Sequence, residues 1–176
     1  MEKKDLDWGN IGFSYMPTDK RYVANYKDGA WDEGGMTSDP NVVINECAGI
    51  LQYCQEIFEG LKAYTTEDGS IVTFRPDLNA ERMMDSARRL EMPPFPKERF
   101  LEAVDQVVKA NAAWVPPFGS GATLYLRPYM FATGPVIGVK PSQEYQFRLF
   151  GTPVGPYFKG GAKPLTLCVS DFDRAA

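Results

Sequence analysis

The chain has no histidine among its 176 residues and only three cysteines. Without histidine, the commonest general base, the Ser-His-Asp and Cys-His nucleophile systems and nearly all zinc enzymes are excluded. Chemistry here has to draw on Tyr, Lys, Arg, carboxylates or a cofactor. Cys47, Cys54 and Cys168 are odd in number, widely spaced and without a C-x-x-C motif. That pattern fits reduced thiols in a cytoplasmic protein better than a disulfide framework. Basic runs are short, ending at Lys3-Lys4 and Arg88-Arg89, so no nucleic-acid footprint is expected. No stretch approaches about 18 apolar residues and the N-terminus lacks an apolar leader segment, so neither membrane spanning nor export is expected.

What is present is enough for a packed fold. Hydrophobic residues make up 44% and aromatics 13%, with a net charge of −4, which argues against disorder. Arg21–Tyr26 reads as a strand, with Asp28-Gly29 as the hairpin turn after it. Gly34-Gly35 and Ser38-Asp39-Pro40 mark a loop, and Val42–Ile44 a short strand. From Ala48 to Phe58 apolar residues recur at helical spacing. Leu61–Thr65 and Ile71–Phe74 read as a hairpin around Glu67-Asp68-Gly69. A helix follows to about Leu90, with Asp77 as its N-cap, then the proline-rich break Met92–Pro96. A second amphipathic helix covers residues 97–114. Thr123–Phe131 and Tyr145–Phe150 read as antiparallel strands, Gly151–Lys163 as a linker and Leu165–Val169 as a last strand. The pattern predicts an α+β fold, with a mainly antiparallel sheet and two or three helices.

Several positions bear chemistry. Gly119-Ser120-Gly121 and Gly155–Gly160 resemble nucleotide loops, but the first leads into a strand and the second has Gly161 in place of the lysine. Both read as plain turns. On the Thr123–Phe131 strand, Leu124, Leu126 and Met130 share one face, and Tyr125, Arg127 and Tyr129 share the other. The polar face is either a cleft wall or a solvated, salt-bridged surface, and pattern alone favours the surface. Arg82 sits in the first turns of its helix, where an anion is favoured. Spacing alone favours an i,i+3 pair with Asp85 instead. Phe58-Glu59-Gly60 reads as a buried Phe, an exposed Glu and a helix-ending Gly. Lys62, Lys159 and Lys163 are in no context that predicts desolvation as Schiff-base lysines.

Six segments, in order, resemble the branched-chain aminotransferases, pyridoxal-phosphate (PLP) enzymes of fold type IV. They are Leu51-Gln52-Tyr53, Phe58–Tyr64, Phe74–Met83, Trp114–Pro117, Leu124–Pro128 and Pro153–Phe158. The pair Phe-Glu-Gly-Leu-Lys-Ala-Tyr and Tyr-x-Arg-Pro sets the chain apart from D-amino-acid aminotransferases and aminodeoxychorismate lyases. The resemblance implies that Arg82 holds the PLP phosphate. It implies that Phe58, Tyr125 and Tyr157 line the substrate side-chain pocket and that Arg127 meets the carboxylate of the second substrate. Tyr53, Ile137 and Val139 match positions that reach a neighbouring subunit's site, implying a homodimer. Gln52 departs from the histidine of many relatives.

The same resemblance implies that residues 1–40 form an N-terminal arm and hairpin, and 41–152 the small α+β domain of the D-amino-acid aminotransferase-like fold. Residues 153–163 would be the interdomain linker, and 164–176 the first strand of a larger PLP domain. The family's Schiff-base lysine is expected beyond Ala176, leaving no catalytic residue in this chain and little PLP binding by it alone. The implied activity is amino transfer between Leu, Ile or Val and 2-oxoglutarate. The competing expectations are a non-catalytic dimerisation or binding domain, and a fold-type IV enzyme with another amino donor.

Overall fold

Eight strands and three α-helices follow one another along the chain in the computed structural model, which describes residues 2–157, 164–169 and 171. In chain order they are β1 (Arg21–Lys27), β2 (Ala30–Trp31), β3 (Gly35–Thr37), α1 (Gly49–Tyr53), β4 (Glu56–Phe58), β5 (Leu61–Thr65), β6 (Ile71–Thr73), α2 (Pro76–Arg89), α3 (Lys97–Ala110), β7 (Thr123–Ala132) and β8 (Tyr145–Val154). They make one sheet in the order β2-β1-β8-β7-β5-β6, with β3 on β1 and β4 on β7. Every pairing is antiparallel. The α+β expectation is borne out.

The spine is β7 against β8, in register from Thr123↔Val154 to Ala132↔Tyr145. Alternation sends Leu124, Leu126 and Met130 into the core with Phe147 and Leu149. The helices cover that face with Ala80, Met83 and Ala87 of α2 and Phe100, Val104 and Val107 of α3. Fully burying a side chain of this size is worth about 1.5–3 kcal/mol, so this layer holds the fold together. Phe95, from the proline-rich link, stacks on Phe147 with ring centroids 3.9 Å apart. The other sheet face carries Tyr125, Arg127 and Tyr129 of β7.

Turn chemistry is legible in several places. Asp28 and Gly29 both have positive φ, 53° and 83°, as the two-residue hairpin turn requires. α2 ends in a Schellman arrangement: Met92 N donates to Ala87 O and Glu91 N to Arg88 O, with Glu91 at φ 54° in place of glycine.

Other expectations are corrected. The helix expected over Ala48–Phe58 stops at Tyr53, because Cys54 turns left-handed at φ 52°. Glu56–Phe58 then pairs with Tyr129–Phe131 as β4, since the edge of β7 past β5 offers open backbone groups that a strand can satisfy. Asp77 is no N-cap: Arg75 holds that place with φ 48°, and no side-chain cap bond forms. Val42–Ile44 is irregular, whereas Gly35–Thr37, read as loop, pairs with β1.

The expected arm and hairpin contribute β1, which lies between β2 and β8 in the one sheet. β8 runs on through Pro153 and Val154, which pair with Leu124 and Thr123. The segment placed in the linker therefore begins as strand. Gly151 permits this by packing on Leu124, where a Cβ would come within 3.2 Å. Residues 164–169 have no regular structure. Leu165, Leu167 and Val169 are exposed, with no pairing strand among the described residues. Phe158, Lys159, Gly160, Gly161, Lys163 and the Arg174–Ala176 end lie outside the described residues.

Candidate functional site

The outward face of β7 brings three of the predicted residues, Phe58, Tyr125 and Arg127, together. Tyr125 and Arg127 are two apart on a strand and so share a face. The Arg127 Nε donates to the Tyr125 hydroxyl at 3.1 Å. β4 delivers Phe58 beside them through the Phe58↔Tyr129 pairing. The Arg127 guanidinium lies 4.3 Å from the centre of the Phe58 ring and 5.3 Å from that of Tyr125, a cation–π arrangement on two faces. Phe58 is 60% exposed, against the buried Phe of the pattern reading. Gly60 closes the floor, where a Cβ would stand 2.5 Å from the Tyr125 hydroxyl. That close approach, and not a helix end, is what requires glycine there.

The N-terminal arm adds a residue that pattern reasoning missed. Phe13 packs on Tyr125 at 6.2 Å and edge-on to Tyr157 at 5.3 Å between ring centroids. The arm is irregular but anchored: Met16 N donates to Thr152 Oγ1 at 2.8 Å, the Thr18 hydroxyl to Gly151 O at 3.0 Å and Gly155 N to Gly12 O at 3.0 Å. A Cβ on Gly155 would overlap the Ile11 carbonyl oxygen. The one sequence signal for this is the aromatic density of Gly12-Phe13-Ser14-Tyr15. The result is an aromatic cup of Phe13, Phe58, Tyr125 and Tyr157 with a guanidinium at its side. Among the described residues Arg127 pairs with no carboxylate. Its charge remains available to an anionic group.

Arg82 is placed by Glu59. Glu59 N donates to Pro128 O of β7 at 2.9 Å, and its carboxylate accepts from Asn79 Nδ2 at 2.7 Å. The Arg82 Nε and Nη2 donate to its two oxygens at 3.0 and 2.8 Å. This pairing raises the guanidinium's affinity for its proton. The expected Arg82–Asp85 pair does not form, since Asp85 accepts from Arg88 at 2.7 Å. The Arg82 side chain is 58% exposed, and its Nη1 has no hydrogen-bond partner among the described residues. It projects from the second turn of α2, while the first turn carries Asp77. The Arg75 guanidinium bonds that carboxyl and pulls its pKa down to about 2. The helix N-terminus thus already faces a negative charge, and Arg82 stands as the cationic contact of this group.

Tyr53, Ile137 and Val139 form a separate group beyond the end of β7. The connection after β7 docks on α1 through Gly49 N to Gly134 O at 3.1 Å and Val136 N to Cys47 O at 2.8 Å. The Tyr53 hydroxyl donates to the Ile137 carbonyl. Ile137 and Val139 are 73% and 88% exposed, an apolar surface on a connection tied to α1 by those backbone bonds.

No protein-family model matches the chain. It is 55% identical over 173 residues to a branched-chain-amino-acid aminotransferase of Haemophilus influenzae, covering 98% of this chain and 50% of that protein. It is 46% identical over 175 residues to the one of Helicobacter pylori, covering 98% and 52%. The chain therefore spans about half the length of the curated relatives it matches. A Thermoproteus uzoniensis branched-chain aminotransferase, solved with norvaline, superposes with a TM-score of 0.64 at 23% identity, over 81% of this chain and 43% of that one. The Escherichia coli structure gives 0.61 at 22%, over 80% and 41%. These structures carry the likeness of fold. The sequence likeness bears out the family resemblance of the motifs: along nearly its whole length the chain is homologous to branched-chain aminotransferases.

Proposed function

We propose that this chain is the small-domain half of a PLP-dependent branched-chain aminotransferase, which moves an amino group between Leu, Ile or Val and 2-oxoglutarate. The observation that carries the reading is the convergence of Phe58, Tyr125 and Tyr157 on one aromatic cup beside Arg127, which has no carboxylate partner among the described residues. An apolar cup suits aliphatic side chains, which gain by leaving water. The same site must accept the side-chain carboxylate of the second substrate, and Arg127 supplies the planar fork for it. Tyr125 holds that fork by accepting from Nε.

Arg82 fits one contact of a cofactor phosphate. Glu59 claims one edge of the guanidinium and leaves Nη1 toward solvent. Bound there, PLP would supply the electron sink for amino transfer. Within this chain the tasks are to bind, to orient and to exclude water. Proton transfer belongs to a lysine that this reading puts outside the described residues. The exposed Ile137 and Val139 suit contact with a second subunit, which makes the working form a homodimer.

The test uses the protein of the complete reading frame. Mixed with 2-oxoglutarate and each of Leu, Ile and Val, it is expected to form glutamate, and borohydride is expected to trap PLP on a lysine. Trapping with no glutamate from any of the three points to another amino donor. No trapped lysine overturns the enzymatic reading and leaves a non-catalytic, dimer-forming domain.

A further inference from the structure

On the same sheet face, beside the cup, two arginines are buried together: Arg21 is 4% and Arg148 6% exposed. Arg148 lies across from Val23 on one side and Tyr129 on the other, and Arg21 is two residues from Val23, so all share that face. They line a cavity of about 460 Å³ with Tyr15, Asn41, Tyr129 and Phe150. Burying a guanidinium is costly unless its charge is answered. Here the acceptors are neutral. Arg21 donates to the carbonyls of Ser38 and Thr18, the latter at 2.9 Å. Arg148 donates to Gln146 Oε1 and Asp39 O, both at 3.1 Å.

Among the described residues neither guanidinium has a carboxylate within 4.0 Å. Asp39 is the acid whose charge both arginines feel, and its carboxyl is turned to the Asn41 amides at 2.9 and 2.8 Å. Glu56 also acts on the lining Tyr129 from the same sheet face, but among the described residues neither acid bonds a guanidinium. Two forks offer about ten N–H donors between them, far more than the acceptors present. The wall beside the arginines is aromatic: Phe150 meets Tyr15 at 5.8 Å and Tyr129 at 6.0 Å, both edge-on.

We propose that this cavity is a second anion site, separate from the Arg127 cup, which takes a small aliphatic carboxylate. The arginine forks match the planar carboxylate, and the aromatic wall receives a short apolar stem. That wall disfavours inorganic phosphate, which is hydrated on every side. The inference does not depend on amino transfer, and its test involves no turnover.

Isovalerate, phosphate and chloride are titrated into the 176-residue chain at matched ionic strength, followed by thermal unfolding and by the arginine Nε–H resonances. Isovalerate is expected to raise Tm by about 4 °C at ten times its Kd, and to shift the resonances of Arg21 and Arg148. Arg148→Met is expected to weaken binding at least tenfold, and Arg127→Met to leave it unchanged. Should Arg148→Met fail to fold, Arg21→Met carries the comparison, and the wild-type resonances need no variant. Isovalerate acting no better than chloride overturns the site. So does phosphate acting better than isovalerate, or a response that Arg127→Met removes and Arg148→Met keeps.

Discussion

Arg82 grips both carboxylate oxygens of Glu59 while Glu59 is itself fastened to β7 through the Pro128 carbonyl. The pair is unequal, with side chains 58% and 11% exposed. Glu59→Ala removes one of two acceptors of Asn79 Nδ2, which keeps the Gly60 carbonyl at 3.1 Å, and leaves an exposed guanidinium to water; it is expected to lower unfolding stability by about 1 kcal/mol. Arg82→Ala breaks a mostly exposed pair and should cost less than about 1 kcal/mol. Under the proposed function, Arg82→Ala in the protein of the complete reading frame should also weaken PLP binding about tenfold or more. Denaturant melts and cofactor titration separate the two effects.

Gly60 lies under the Tyr125 hydroxyl, so Gly60→Ala forces that ring outward. The hydroxyl then leaves the Arg127 Nε, and under the proposed function the KM for 2-oxoglutarate is expected to rise more than that for leucine. Removing the hydroxyl removes the 2.5 Å contact and leaves two ring carbons at 3.1 and 3.2 Å, which a small ring shift accommodates. The double variant Gly60→Ala/Tyr125→Phe is therefore expected to regain most of the lost stability, a coupling that a double-mutant cycle in urea measures.

Gly155→Ala meets backbone and not a flexible side-chain tip, because its neighbour is the Ile11 carbonyl. The arm has to lift, losing the Gly155–Gly12 bond and the Phe13–Tyr157 contact. Limited proteolysis is expected to cut near residues 11–16 in the variant and not in the wild type.

Acid stability reports on Arg75 and Asp77. The Asp77 carboxyl is held at about 2 when folded, below its ordinary 3.8. A lowered folded-state pKa stabilises the fold above the unfolded-state value, and that stability is lost as pH falls from near 3.8 through about 2. Asp77→Asn is expected to flatten the pH dependence of unfolding in that window and leave it unchanged above pH 5.

The exposed pair beyond β7 tests assembly. Ile137→Glu/Val139→Glu places two charges on a surface that the proposed dimer covers. Sedimentation of the protein of the complete reading frame is expected to show monomers, with the circular dichroism of the wild type retained.

Local rules made much of the fold readable. The Asp28-Gly29 turn, the alternation of β7 and the apolar stripe of α3 depend on short-range sterics and on one-sided burial, and the structure has them where the pattern puts them. The expected helix over Ala48–Phe58 shows where such rules stop. Its spacing of apolar residues satisfied a helix, yet the open edge of β7 drew Glu56–Phe58 into the sheet. Gly35–Thr37 likewise became strand because β1 was there to pair with it.

The site divides in the same way. By itself the sequence determined the residue types and the family likeness, and it put Tyr125 and Arg127 on one face, because a strand's side chains alternate whatever surrounds them. Only the tertiary structure decided that Arg82 answers Glu59 instead of Asp85, that Phe13 closes the cup, and that Arg21 and Arg148 share a cavity. Those partners are up to 144 residues apart in the chain, as between Phe13 and Tyr157. No local spacing encodes such contacts, which arise where strands distant in sequence pair side by side.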